Sequence, residues 1–240
     1  MSRILFVSQE KGGVGKSVLA RALAEAIPDA PVLEIDSSPR LLELGDRVKF
    51  FPMRADRAAI ERTGGRVSRA EFDAVIGAIS TATQPTIVDV GANTSTSFLT
   101  VLAALAPDLR EARVDAGVLV VVTAEPGALA EAPGLLRTAG QFATKFFVVE
   151  NRLHGAVDPK ELAKFAGDAV VTVLAEQAIE EKAMELLQAG GFASVPKLDA
   201  AKLNAAHGLS LGSRIRRDLT RFRLEAMEAV RPAAEWLVAA

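Results

Sequence analysis

In the stretch QEKGGVGKS, residues 9–17, the residues Gly12, Gly13, Val14, Gly15, Lys16 and Ser17 have the types and spacing to hold a polyphosphate. Glycines let consecutive backbone N–H groups curl around anionic oxygens. Lys16 brings a compact positive charge to the terminal phosphates, and the Ser17 hydroxyl can ligate Mg2+. The common phosphate-loop pattern G-x-x-x-x-G-K-[ST] asks for a glycine five places before Gly15, where this chain has Glu10. A second lysine, Lys11, stands ahead of the glycines.

Two carboxylates close apolar runs elsewhere. Asp36 ends PVLEID, and Asp89 lies in TIVDVGANTS just before Gly91. In parallel α/β sheets, carboxylates that hold Mg2+ through water sit at C-terminal strand ends beside the phosphate loop. A glycine such as Gly91 lets a backbone N–H approach a γ-phosphate. Either aspartate also suits a helix or turn cap.

The elements that must position these residues are legible as short runs rich in Val, Ile and Phe. They fall at residues 4–8, 31–36, 86–90, 117–123, 145–150 and 169–174. Apolar residues on both alternations suit parallel strands covered on both faces, so the pattern predicts at least six parallel strands in a doubly wound α/β fold with helices on both faces. VKFFPM, 48–53, is either a further short strand or a loop that Pro52 ends. Helical patterns cover 17–27, opening at Ser17; 68–80, with a capping box of Ser68 and Glu71; 127–143, with a kink or restart at Pro133; and 176–191, ending on paired glycines. No internal repeat or linker breaks residues 1–240, which read as a single domain.

At 50% hydrophobic residues the chain can furnish a substantial core. With 28 basic and 30 acidic residues, the charge of −2 gives no global pull toward nucleic acid or membrane, so any such binding must be local. The absence of cysteine excludes disulfides, thiol catalysis and cysteine-ligated clusters, and His154 and His207 leave little for a transition-metal site. The apolar run at 116–124 is far shorter than the roughly 18 residues of a membrane span, and the N-terminal residues lack a signal-peptide pattern. A cytoplasmic location is expected.

KGGVGKS after a first strand resembles the deviant Walker A loop of the ParA/MinD family of ATPases, in which the residue before the first lysine varies. The resemblance implies a P-loop NTPase fold with ATP and Mg2+ as ligands. It gives Lys11 the role of reaching across a nucleotide-sandwich homodimer; without it, Lys11 is a solvated loop residue. Asp89 with Gly91 resembles the family's Walker B and switch II segment, and Asp36 the first aspartate of its D-x-D-P-Q switch I. Asn151 and Arg152, after KFFVVE, resemble the strand-end pair whose asparagine reads the adenine edge, although an asparagine there can simply end a strand. No guanine-reading N-K-x-D occurs, which favours ATP over GTP. The expected catalytic residues are thus Lys11, Lys16 and Asp36. The nucleotide-binding ones are Gly12, Gly13, Val14, Gly15, Lys16, Ser17, Asn151 and Arg152, and the Mg2+ ligands are Ser17, Asp36 and Asp89.

The chain departs from the family in IDSSPR, where Ser38 and Arg40 stand in place of a second aspartate and a glutamine. Neutral Ser38 is no base near pH 7, so slow intrinsic hydrolysis is expected, with a partner or the Arg40 guanidinium completing the site. The segment 172–177 lacks the proline of the family's adenine loop.

An arginine-rich helix is expected at about 210–231, with Ile215, Leu219, Phe222, Ala226 and Val230 along one stripe and Arg214, Arg216, Arg217, Arg221 and Arg223 largely off it. Pro232 is expected to interrupt it before Trp236. It reads as a solvated helix packed on the sheet, as a patch for non-specific DNA backbone, or, least readily, as a membrane-surface helix. The chain as a whole resembles the TraL-type conjugal-transfer ATPases, a branch near ParA. This implies a dimerisation switch in plasmid transfer or DNA mobilisation, with a protein partner from that apparatus. A partition ATPase, or a nucleotide-binding scaffold with little hydrolysis, is the alternative.

Overall fold

The computed structural model describes residues 2–53, 66–176 and 178–239, with the backbone alone for 66–70. Seven strands form one sheet: β1 (Ser2–Ser8), β2 (Val32–Asp36), β3 (Val48–Pro52), β4 (Thr86–Val90), β5 (Val114–Val122), β6 (Lys145–Asn151) and β7 (Val170–Leu174). Their order is β3-β2-β4-β1-β5-β6-β7, and every pairing is parallel. The expected doubly wound α/β class is therefore the one adopted. VKFFP is a true strand, and it lies at the sheet edge, where the missing N–H of Pro52 disturbs no inner ladder.

Alternate side chains of the central strands feed two cores. Leu5, Val7, Ile87, Leu119 and Val121 face one side, with helix α1 (Lys16–Ala26), the helix Glu181–Ser194 and the C-terminal helix Leu209–Val238. Ile4, Phe6, Val88, Val118 and Val120 face the other, with the helices Arg66–Ser80, Ser95–Ala104 and Pro126–Ala139. The connection after β1 leads to the first face and that after β4 to the second. Adjacent strands whose exits diverge leave a crevice beyond their C-terminal ends, the usual ligand position in such sheets.

Four helical expectations need correction. The helix expected at 68 begins at Arg66, so Ser68 lies inside it and does not cap it; the Ser68 side chain itself lies outside the described residues, as does Gln177 of the segment 172–177. The helix Pro126–Ala139 runs through Pro133 without a restart, and Ala128, Ala132, Leu135 and Ala139 form one buried stripe across it. The helix expected at 176–191 begins only at Glu181; its expected break at the paired glycines is present, since Gly191 is non-helical (φ 62°) and a second short helical stretch runs from there to Ser194. The C-terminal helix continues through Pro232 to Val238, since Ala233, Ala234 and Leu237 are buried beyond the proline.

Candidate functional site

The loop QEKGGVGKS occupies the crevice between β1 and β4. Gly15 precedes α1 at φ 96°, a left-handed conformation, and a Cβ there would lie 2.6 Å from Asn151 Nδ2. Glycine is thus required on two counts. The α1 N-terminus has no side-chain cap, so its N–H groups and dipole face the crevice.

Glu10 explains the irregular loop. Its carboxylate accepts the Thr96 N–H (2.8 Å), and its carbonyl accepts the Asn93 N–H (3.0 Å). The helix Ser95–Ala104 has no cap from its own Thr94, and Glu10 supplies one from the phosphate loop. A glycine at position 10 has no side chain to make this tie. Gln9, fully buried, anchors the loop from below: Nε2 donates to the Val121 (2.7 Å) and Ala128 (3.0 Å) carbonyls, and Oε1 accepts the Glu10 N–H (2.8 Å).

Lys16 is 7% exposed, and its Nζ donates to the Lys11 carbonyl at 3.0 Å. Burial lowers its pKa, against the opposing pull of Asp89, Asp36 and Glu10. Asp89 is buried at the end of β4, and burial, helped by Asp36, pushes its carboxyl up to about 6; the Ser17 hydroxyl and the Lys16 and Arg21 charges pull the other way. Its Oδ1 is buried with no hydrogen-bond partner. Asp36, half-buried at the end of β2, accepts the Ser37 N–H (2.6 Å) and hydroxyl (3.0 Å). A Cβ on Gly91 would fall 2.6 Å from the Ile35 carbonyl and 2.9 Å from the Asp36 carboxyl carbon, so only glycine lets β4 leave the sheet beside Asp36.

The donor set Ser17, Asp36 and Asp89 is all oxygen, and the orphaned Asp89 Oδ1 is what a hard divalent cation would satisfy, so these residues fit Mg2+. Among the described residues no group of three or more His, Cys, Asp or Glu forms a metal cluster.

Three of the expected site residues have other engagements. The Asn151 Nδ2 donates to the Val14 carbonyl (2.9 Å), so this side chain braces the loop. Arg152 forks onto Glu150 through Nε (3.0 Å) and Nη2 (3.1 Å), and that contact raises its already high pKa. Lys11 pairs with Glu125 at 2.9 Å on the surface.

Sequence reasoning passed over Gln9, Glu34, Arg21 and Glu125. Glu34 is 1% exposed on β2 opposite Asp89, and burial raises its carboxyl to about 7. A charged residue inside the apolar run VLEID, and Arg21 inside VLARALA, were the signals available.

No family model and no curated protein matches the chain. Among solved structures it is similar to a ParA family ATPase from Chlorobium tepidum TLS, at 17% identity over 93% of this chain and 99% of that one, with a TM-score of 0.49. It is also similar to the MinD cell division protein of Aquifex aeolicus (16% identity, 92% and 98% covered, TM-score 0.44). A plasmid partition protein from Borrelia burgdorferi is similar at 14% identity (82% and 99% covered, TM-score 0.45). At such identities a likeness bears on the fold alone.

Proposed function

We propose that this chain is an ATP-binding, slowly hydrolysing switch of the deviant Walker A type, with Mg·ATP as ligand and an ATP-dependent homodimer as its active state. One observation carries the reading: a left-handed glycine loop, buried Lys16, Ser17 and the strand-end Asp36 and Asp89 converge on the β1/β4 crevice. Backbone N–H groups of residues 12–17 would take the phosphate oxygens, and Lys16 Nζ would exchange the Lys11 carbonyl for a phosphate. Ser17, Asp36 and Asp89 would hold Mg2+, which when bound neutralises charge on the β- and γ-phosphates. Asn151 and Arg152 border the loop where an adenine would lie.

Lys11 keeps its role as the residue that reaches a partner's phosphates. Its ion pair with Glu125 is half-exposed, and such pairs contribute about 1 kcal/mol or less, so exchanging Glu125 for a phosphate costs little. Neutral Ser38 supports slow turnover by the isolated protein.

Lys16→Ala should bind ATP at least tenfold more weakly than wild type, with the circular dichroism spectrum unchanged. Equal binding by the two proteins overturns the reading. Turnover by wild type alone above about 1 s⁻¹, the low end of ordinary enzymes, would contradict the slow rate.

Conjugal transfer and partition share this chemistry and differ in what stimulates it: a component of the transfer apparatus or a DNA-bound centromere adaptor. ATPase assays with each kind of stimulator added separate the two.

The DNA-backbone reading narrows to Arg216, Arg217 and Arg221, which line a cleft of about 570 Å3 with Asn204 and Ser213. Arg214 is paired with Glu180 and Arg223 with Glu25 at 2.9 and 2.5 Å, whereas Arg217 and Arg221 lie only loosely beside Asp218, at 4.0 and 3.9 Å. Contacts from three arginines predict a log–log salt slope of about −3 for DNA affinity; a flat salt response removes this reading. The stripe Ile215, Leu219, Phe222, Ala226 and Val230 is buried inside the protein and is not free to lie on a membrane surface. No described helix is long and apolar enough to cross one. A cytoplasmic location accompanies this reading.

A further inference from the structure

Behind Asp36, two buried charged side chains grip the backbone of a single residue, Arg40, through the two peptide groups on either side of its Cα. Glu34 projects from β2 on the α1 side of the sheet, and its Oε1 accepts the Arg40 N–H at 2.5 Å. Arg21, 8% exposed on α1 and one turn beyond Ser17, donates from Nη2 to the Arg40 carbonyl and from Nε to Glu43 Oε1 (2.5 Å). The N–H of Arg40 is therefore held by the strand that ends in Asp36. Its carbonyl is held by the helix that begins at Lys16.

Resting on the nucleotide-switch reading above, we infer that Glu34 and Arg21 are positioning residues: they clamp the loop Ser37–Leu41 to β2 and α1, and thereby hold Asp36 in place for the cation of bound Mg·ATP. Stability alone is a poor account of Glu34. Its second oxygen, Oε2, is buried without a hydrogen-bond partner, and a half-satisfied carboxylate in a core costs more than an apolar side chain of similar size. What the carboxylate does supply is an acceptor aimed at the loop backbone, at the N–H of Arg40 with that of Leu41 beside it. Between Asp36 and Leu41, which is fully buried in the core, the loop has few other ties: Ser37, Pro39 and Arg40 are exposed. Released at Arg40, the stretch between Asp36 and the buried Leu41 would be held at its two ends, and the Asp36 carboxylate would lose the fixed Ser37 N–H and hydroxyl that orient it.

Two measurements on full-length protein test this. Trypsin cleavage of the Arg40–Leu41 bond, followed by mass spectrometry, reads the clamp directly, and affinity for a fluorescent ATP analogue with Mg2+ and in EDTA reads its consequence. Glu34→Leu is expected to speed cleavage at Arg40 at least tenfold and to weaken Mg2+-dependent binding at least fivefold, while binding in EDTA changes less than twofold. Glu34→Gln keeps an acceptor in the same place and should stay within twofold of wild type in both assays. A merely structural role would lower the melting temperature and weaken binding equally with and without Mg2+. That result, or wild-type cleavage rates in Glu34→Leu, overturns the proposal. Should Glu34→Leu fail to fold, Arg21→Met removes the other jaw and is judged by the same two criteria. If wild type binds no ATP, the nucleotide reading fails, and the cleavage rates still decide whether the clamp exists.

Discussion

Burial governs the charge of Glu34 and Asp89. Glu34 is raised to about 7 by desolvation first, with Asp89 and Asp36 adding to it and the Arg40 and Leu41 N–H groups opposing. The folded protein thus retains a proton that the unfolded chain releases above its ordinary value of 4.5. Glu34 is tolerated best at low pH, and that advantage is lost as pH rises from there through about 7. The cost at higher pH is on the order of 3 kcal/mol. Thermal melts from pH 4 to 8 should show wild type losing stability across this window, and Glu34→Gln should flatten that part of the profile and be the more stable protein at pH 8. The sequence pointed to Lys16, Ser17 and Asp89 because a phosphate loop is a local pattern and a strand-end aspartate is local too. It did not point to Gln9, whose side chain meets Ala128, or to Arg21 and Glu34, whose common partner is the Arg40 backbone; such meetings exist only after the strands are ordered.

The elements show where local preference yields to packing. Pro232 lacks the N–H that would bond the Glu228 carbonyl, which is why a helix end was expected there. Glu228 is exposed, so water can take its carbonyl, while Ala233, Ala234 and Leu237 beyond the proline bury an apolar stripe. Trp236 adds to the hold: its ring lies 5.3 Å from the Arg3 guanidinium and 6.1 Å from the Phe147 ring, and Arg3 Nη1 donates to the Trp236 and Ala239 carbonyls. Pro232→Ala should therefore stabilise the protein by about 1–3 kcal/mol, as a helix interior regains its hydrogen bond. Leu237→Ala should cost about 2–5 kcal/mol by opening a cavity. Urea unfolding of both variants checks the pair. Glu10 makes the same point at a helix start: the cap for Ser95–Ala104 comes from a residue far away in sequence, where no capping pattern could reveal it.

At the scale of the molecule, ATP is expected to act by favouring a dimer in which Lys11 leaves Glu125 for the partner's phosphates. Size-exclusion chromatography should show wild type shifting from monomer to dimer with Mg·ATP. Lys11→Ala should bind ATP, melt within about 1 kcal/mol of wild type, and remain a monomer. A wild type that stays monomeric with ATP demonstrably bound ends the sandwich mechanism. The sequence by itself determined the doubly wound α/β class and a glycine loop with Lys16 and Ser17, because strand runs, helix periodicity and loop glycines are properties of neighbouring residues. Only the tertiary structure decided that β4 lies between β2 and β1, which brings Asp89 beside Glu34 and Asp36 beside Gly91. It also decided that Glu10 caps a distant helix and that the Arg40 backbone is gripped from two sides. The reason is common to all of these: strand order is set by how whole faces bury against helices, and contacts made across that order have no trace in local spacing.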